Sequence, residues 1–114
     1  MLVVEDEPLL AFDYQDELET RGARPVIALT LSEGLESLNA VSADFAILDV
    51  NLGRELSWPV AKALAERGTP FLVVSGRCTI DELPEGIRPI DCIPKPIGAR
   101  VLIDRIEHIL DAVQ

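Results

Sequence analysis

The stretch Phe45-Ala46-Ile47-Leu48-Asp49-Val50-Asn51 constrains the fold more than any other part of the chain. Its apolar side chains run unbroken and then stop at one carboxylate. An apolar run this short predicts a strand covered on both faces, the environment of a parallel sheet. Open parallel sheets bind their ligands beyond the carboxyl ends of the strands, so Asp49 is expected to be a reactive group on a rigid platform.

Similar runs recur at Leu2-Val3-Val4, Pro25-Val26-Ile27-Ala28-Leu29, Pro70-Phe71-Leu72-Val73-Val74 and, more briefly, Ile90 to Ile93. Between them the apolar period becomes that of a helix. Leu10, Tyr14 and Leu18 recur every four residues after Pro8, whose missing N–H is harmless in a first turn, and Gly22 closes that helix. Thr30 and Glu33 fit a capping box around the stripe Leu31, Leu35 and Leu38, with Gly34 as a weak interruption. Asn51 to Ser57 reads as a polar loop. Ser57 and Pro59 then start a helix that carries Val60, Ala61 and Leu64 and stops at Gly68.

Thr79 to Pro89 is the least regular segment, with about one helical turn before Pro84 and Gly86. The stiff turn Pro94-Lys95-Pro96 precedes a last helix marked by Leu102, Ile106, Ile109 and Val113. Five strands thus alternate with about five helices in one domain spanning residues 1–114. Right-handed crossovers then predict an α/β fold, a three-layer α/β/α sandwich of (βα)5 flavodoxin-like topology with parallel strand order 2-1-3-4-5.

Ten basic against twenty acidic residues give a net charge of −10, which argues against binding nucleic acid. No apolar run approaches the roughly 20 residues that cross a bilayer, and the start lacks the pattern of a signal peptide. The expectation is a cytoplasmic protein with no membrane contact. Cys78 and Cys92 form no disulfide framework and read as free thiols of a reducing compartment.

In the predicted strand order, the residues just beyond the strands converge on one edge: Glu5 and Asp6, Asp49, Ser75 and Lys95. Three neighbouring carboxylates repel one another and raise each other's pKa, a penalty that a bound cation removes. Oxygen ligands with room for water suit Mg²⁺. A cation, the Lys95 ammonium and the Ser75 hydroxyl together would clamp a tetrahedral anion, and Asp49 would act as the nucleophile that forms an acyl phosphate.

These residues give the chain its resemblance to the receiver domain of bacterial two-component response regulators, over its whole length. Leu2-Val3-Val4-Glu5-Asp6-Glu7-Pro8 resembles that family's acidic motif, and Ile47-Leu48-Asp49-Val50-Asn51-Leu52 its phosphoacceptor motif. Ser75-Gly76 matches its hydroxyl-plus-small pair and Lys95-Pro96 its lysine followed by proline. The resemblance implies that Asp49 accepts a phosphoryl group from a histidine kinase, a phosphotransfer protein or a small phosphodonor. It implies that Asp6, Asp49 and the backbone carbonyl of Asn51 ligate Mg²⁺, with Glu5 acting through water. Lys95 would pair with the phosphoryl oxygens, Ser75 would hydrogen-bond them, and the Lys95-Pro96 peptide would be cis. Such a domain is no enzyme beyond assisting its own phosphorylation and dephosphorylation, and signals through a downstream protein or a homodimer.

Three departures qualify the resemblance. Cys92 occupies the position of the family's aromatic switch residue, and a thiol cannot report a ring rotation. The Thr79 to Pro89 segment departs from a regular fourth helix, which alters the face where many receivers meet partners. The loop Leu52 to Pro59 lacks the family's usual Pro and Gly positions. Pro70 to Gly76, Asp49 to Gly53 and Trp58 to Ala61 are similar to a divergent subgroup of alphaproteobacterial single-domain receivers, with Arg77 in place of its Tyr. Two other readings follow: a receiver-fold binding module not switched by phosphate, and a receiver cut from a hybrid kinase or larger regulator. An aspartyl hydrolase fits less well, because Asn51 replaces the second acid of that motif. Trp58 at a helix start reads as local packing, His108 as a surface or boundary residue, and Arg77 is assigned to neither phosphate nor a partner.

Overall fold

The computed structural model describes residues 1–76, 84 and 86–112, the side chain of residue 112 excepted. Among the described residues, in chain order, the elements are β1 (Leu2–Val4), α1 (Pro8–Thr20), β2 (Val26–Ala28), α2 (Leu31–Ala40), β3 (Ala46–Asp49), β4 (Asn51–Leu52), β5 (Glu55–Leu56), α3 (Trp58–Glu66), β6 (Phe71–Ser75), β7 (Cys92–Pro94) and α4 (Ala99–Ala112). The main sheet has five strands in the order β2-β1-β3-β6-β7. All its pairings are parallel: Val3 lies between Ile27 and Ile47, Ile47 beside Leu72, and Val74 beside Ile93. With β6 and β7 as its fourth and fifth strands, this is the expected flavodoxin-like order.

Strand side chains alternate between faces, so each run feeds two cores. Val4, Leu48 and Val73 pack with Leu38, Val60 and Leu64 under α2 and α3. Val3, Ile47, Leu72 and Val74 pack with Tyr14, Leu18, Leu102, Ile103 and Ile106 under α1 and α4. Burying side chains of this size stabilises by roughly 1.5–3 kcal/mol each, which is why unbroken apolar strands are tolerated only between two helical layers.

Local chemistry sets the helix boundaries. Pro8 occupies the first turn of α1, and Gly22 follows its last turn at φ +86°. Thr30 caps α2 by accepting a hydrogen bond from the Glu33 N–H at 3.1 Å. Glu33 reaches back to accept from the Leu29 N–H at 3.4 Å, one residue upstream of the usual box. Gly34 does not interrupt the helix. It is buried where α2 crosses close to β1 and α3, and an added Cβ would stand 3.1 Å from a Val60 methyl and 3.4 Å from a Val4 methyl. Trp58 packs partly buried against the first core, and His108 is exposed on α4, both as expected.

Several expectations need correction. Asn51 to Ser57 is not a plain loop: β4 and β5 form an antiparallel hairpin pairing Asn51 with Leu56 and Leu52 with Glu55. Leu52 anchors it by entering the first core, and Gly53 makes the turn at φ +66°. The fifth strand of the main sheet runs over Cys92–Pro94 rather than Ile90 to Ile93, because its register is set by pairing with Val73–Ser75. Pro94 is acceptable there since β7 lies at the sheet edge.

Cys92 is half-buried and disulfide-bonded, not the free thiol expected. Cysteine number and expected compartment do not determine a thiol's covalent state. Cys78, Arg77, Val113 and most of the Thr79 to Pro89 segment lie outside the described residues. Among the described residues, no helix is long and apolar enough to cross a membrane.

Candidate functional site

Strand alternation explains why two acids meet. Val3 and Ile47 face α1 and α4, and two residues further on Glu5 and Asp49 fall on that same face of adjacent strands. Both are almost fully enclosed, with Glu5 2% and Asp49 6% exposed. The Glu5 N–H donates to the Ala28 carbonyl at 3.0 Å, which extends the β1–β2 ladder and holds the acid at the sheet edge.

Lys95 arrives from the far side. Its N–H donates to the Ser75 carbonyl at 2.8 Å, continuing the β6–β7 pairing, and the Lys95-Pro96 peptide is cis. The Lys95 Nζ donates to Glu5 Oε1 at 3.0 Å and to Asp49 Oδ2 at 2.9 Å. Ser75 closes β6 and is itself buried.

The exposed acid Asp6 accepts a hydrogen bond from the Gly53 N–H at 2.9 Å. The Asn51 N–H donates to Asp49 Oδ1 at 3.3 Å. One oxygen each from Glu5, Asp6 and Asp49 lies within 4.8 Å of the others. The second oxygen of Glu5, Oε2, is buried without a hydrogen-bond partner among the described residues. An oxygen-only donor set with an uncompensated buried carboxylate oxygen fits a hard divalent cation such as Mg²⁺.

The electrostatics follow from this enclosure. Burial first, then the hydrogen bond and charge of Asp49, push the Glu5 carboxyl up to about 8, with Lys95 opposing. Burial works to lower the Lys95 pKa, but hydrogen bonds to Asp49 and Glu5 outweigh it and hold the ammonium above its ordinary value. For Asp6, burial is outweighed by hydrogen bonds led by the Gly53 N–H, which hold the carboxyl below its ordinary value. Beneath the site, burial and then the charge of Glu5 push the Tyr14 hydroxyl up to about 12; it too is buried without a partner among the described residues.

All the residues expected here stand at the same sheet edge. Glu5, Asp49 and Lys95 are in direct contact, Asp6 joins the oxygen cluster, Asn51 is bonded to Asp49, and Ser75 adjoins Lys95 through the backbone. Two participants were not foreseen. Gly53 contributes through its main chain, which no side-chain motif reveals, although glycine between Leu52 and Arg54 is a turn signal. In the sequence Tyr14 stands out only as part of an apolar stripe.

No family model matches the chain. It is similar to the TorCAD operon transcriptional regulatory protein TorR of Escherichia coli strain K12, 27% identical over 113 residues, covering 96% of this chain and 49% of TorR. The chain thus spans about half the length of the curated relatives it matches. Among solved structures it is similar to a CheY-like response regulator receiver domain protein from Methanospirillum hungatei JF-1, with TM-score 0.84, 25% identity and coverage of 97% of this chain and 92% of that one. The fold is also that of response regulator protein TrrA from Thermotoga maritima, with TM-score 0.78, 19% identity and coverage of 95% and 96%. The fold is that of CheY-like response-regulator receiver domains, and the sequence similarity to response regulators extends over nearly the whole chain.

Proposed function

We propose that the chain is a Mg²⁺-dependent phosphoacceptor receiver in two-component or phosphorelay signalling, with Asp49 as the accepting residue. The observation that carries this reading is the Lys95 ammonium bridging Glu5 and Asp49 beside a cluster of three carboxylates. A lysine so placed neutralises charge on an incoming phosphoryl group, as preorganised electrostatics require. The Thermotoga maritima TrrA domain, similar in fold, is in complex with Mg²⁺-BeF.

In this reading a carboxylate oxygen of Asp49 attacks the phosphorus of a phosphohistidine on a histidine kinase or phosphotransfer protein. The P–N bond breaks, an acyl phosphate forms, and the donor imidazole leaves with its bonding electron pair and takes up a proton. Asp6, Asp49 and the Asn51 carbonyl would hold Mg²⁺, with Glu5 acting through water. The metal, when bound, offsets charge between Asp49 and the phosphoryl oxygens. Lys95 pairs with those oxygens and the Ser75 hydroxyl donates to one of them.

Output passes to a downstream protein in the cytoplasm or to a second copy of the chain, and no external metabolite is turned over. Because the relatives are about twice as long, the receiver of a larger regulator is an equally direct form of this proposal. The likeness of Pro70 to Gly76 to the alphaproteobacterial subgroup favours a single-domain receiver as the other form of the proposal.

Incubation with Mg²⁺ and acetyl phosphate, followed by intact-mass measurement beside Asp49→Asn, tests this. One phosphoryl adduct, absent from the variant, is the expected result. Cys92 at the aromatic switch position favours a second reading, a receiver-fold module not switched by phosphate. No adduct and no Mg²⁺ affinity would establish that one instead.

A further inference from the structure

Asp6 is the least restrained member of the acid cluster. It is exposed, lies between β1 and α1 rather than within either, and follows a fully buried acid. A short side chain in that situation rotates among several staggered positions unless something holds it. What holds it is the Gly53 N–H, 2.9 Å from Asp6 Oδ2 and 47 residues away in sequence.

We propose that the β4–β5 hairpin is a main-chain clamp on the cation site, with Gly53 as the positioning residue for Asp6. The inference rests on the reading of Glu5, Asp6 and Asp49 as a cation site, which the buried Glu5 Oε2, without a hydrogen-bond partner among the described residues, supports. The hairpin touches two of the three acids through consecutive parts of its backbone: Asn51 on Asp49 Oδ1 and Gly53 on Asp6 Oδ2. It is itself fastened by Leu52 in the core and by the Ser57 N–H on the Val50 carbonyl at 2.9 Å. A donor built on so short and anchored a loop fixes the orientation of the Asp6 carboxylate and leaves its other oxygen for the cation.

The turn also explains why glycine stands at position 53. Its φ of +66° is costly for most side chains but not for glycine. Space is not the constraint, since a Cβ added there meets nothing within 4 Å. Backbone conformation and the N–H are therefore the whole of its contribution, and the two can be separated. Asparagine tolerates the left-handed region and keeps the N–H, whereas proline forbids that region and removes the donor. By linkage, a cation that is favoured by the clamp must in turn favour the clamp.

The test is Mg²⁺ titration of the wild type, Gly53→Asn and Gly53→Pro, with folding checked by circular dichroism, and amide hydrogen exchange at Gly53. Gly53→Asn is expected to bind within about twofold of wild type, and Gly53→Pro about tenfold more weakly, the usual cost of losing an outer-shell partner. Mg²⁺ is expected to slow exchange of the wild-type Gly53 amide, and Asp6→Ala to accelerate it. A folded Gly53→Pro with wild-type affinity would overturn the clamp while leaving the cation site standing. Absence of Mg²⁺ binding by the wild type would instead overturn the cation reading itself. Should Gly53→Pro fail to fold, the exchange data decide: an amide equally unprotected in wild type and Asp6→Ala overturns the clamp.

Discussion

Lys95 and Asp49, 46 residues apart in the chain, meet at 2.9 Å between Nζ and Oδ2, with Asp49 almost wholly enclosed and Lys95 about one-quarter exposed. The same ammonium serves Glu5, so one cation offsets two buried acids. Removing one partner of a buried pair commonly costs about 3–5 kcal/mol, but partial exposure of Lys95 and proton uptake by Glu5 reduce that here. Lys95→Met, which keeps the apolar stem, should remain folded and lose roughly 1–3 kcal/mol in urea unfolding near neutral pH. Phosphorylation by acetyl phosphate should slow markedly. A variant as stable and as reactive as wild type would deny the bridge both roles.

Glu5 imposes a pH dependence of definite sign. Its carboxyl moves from an ordinary 4.5 to about 8 on folding, so between those values the folded state holds more protons than the unfolded one. Stability from this group is fully present below about 4.5 and is lost as pH rises through about 8. Asp6, held low, has the opposite slope, but loses its contribution only below that window. Urea unfolding across the window should show stability falling with pH in the absence of Mg²⁺, and a flatter profile for Glu5→Gln. Mg²⁺ should stabilise more at the alkaline end, where it no longer competes with a proton. A wild-type profile as flat as that of Glu5→Gln would refute the assignment.

Gly34 provides a test of packing away from the site. An added methyl would press on Val60 at 3.1 Å, while alanine gains about 1 kcal/mol of helix propensity, so Gly34→Ala should change stability little. Gly34→Val adds two further methyl groups and a β-branched side chain, and should destabilise by about 1–3 kcal/mol through overpacking. Thermal melts of both variants check this. Equal stability of the two would mean that α2 can withdraw from Val4 and Val60 at no cost.

The residues of the candidate site stand out in the chain, but their contacts do not. Leu2 to Val4, Phe45 to Asp49 and Phe71 to Val74 announce buried strands, and the acids, the serine and the lysine follow at their ends. The hairpin is not legible in the sequence because two-residue strands carry no periodic pattern, and because Leu52 looks like any loop leucine until it enters the core. Apolar Ile90 makes the last strand read a little early in the sequence, yet Cys92–Pro94 are the residues that pair with β6. By propensity Gly34 reads as a weakness of α2, whereas in the fold a Cβ there would press on Val60 and Val4.

The division has a physical cause. Hydrophobic period, capping and turn chemistry act over a few neighbouring residues, and right-handed crossovers leave few ways to order such elements. Sequence alone therefore determined the strand order and the set Glu5, Asp6, Asp49, Ser75 and Lys95 at one edge. Only the tertiary structure decided that Glu5 is buried deeply enough to favour its proton, that one ammonium bridges two acids, and that Gly53 holds Asp6. Each of those depends on the distance between groups dozens of residues apart, which register and packing set and no local pattern encodes.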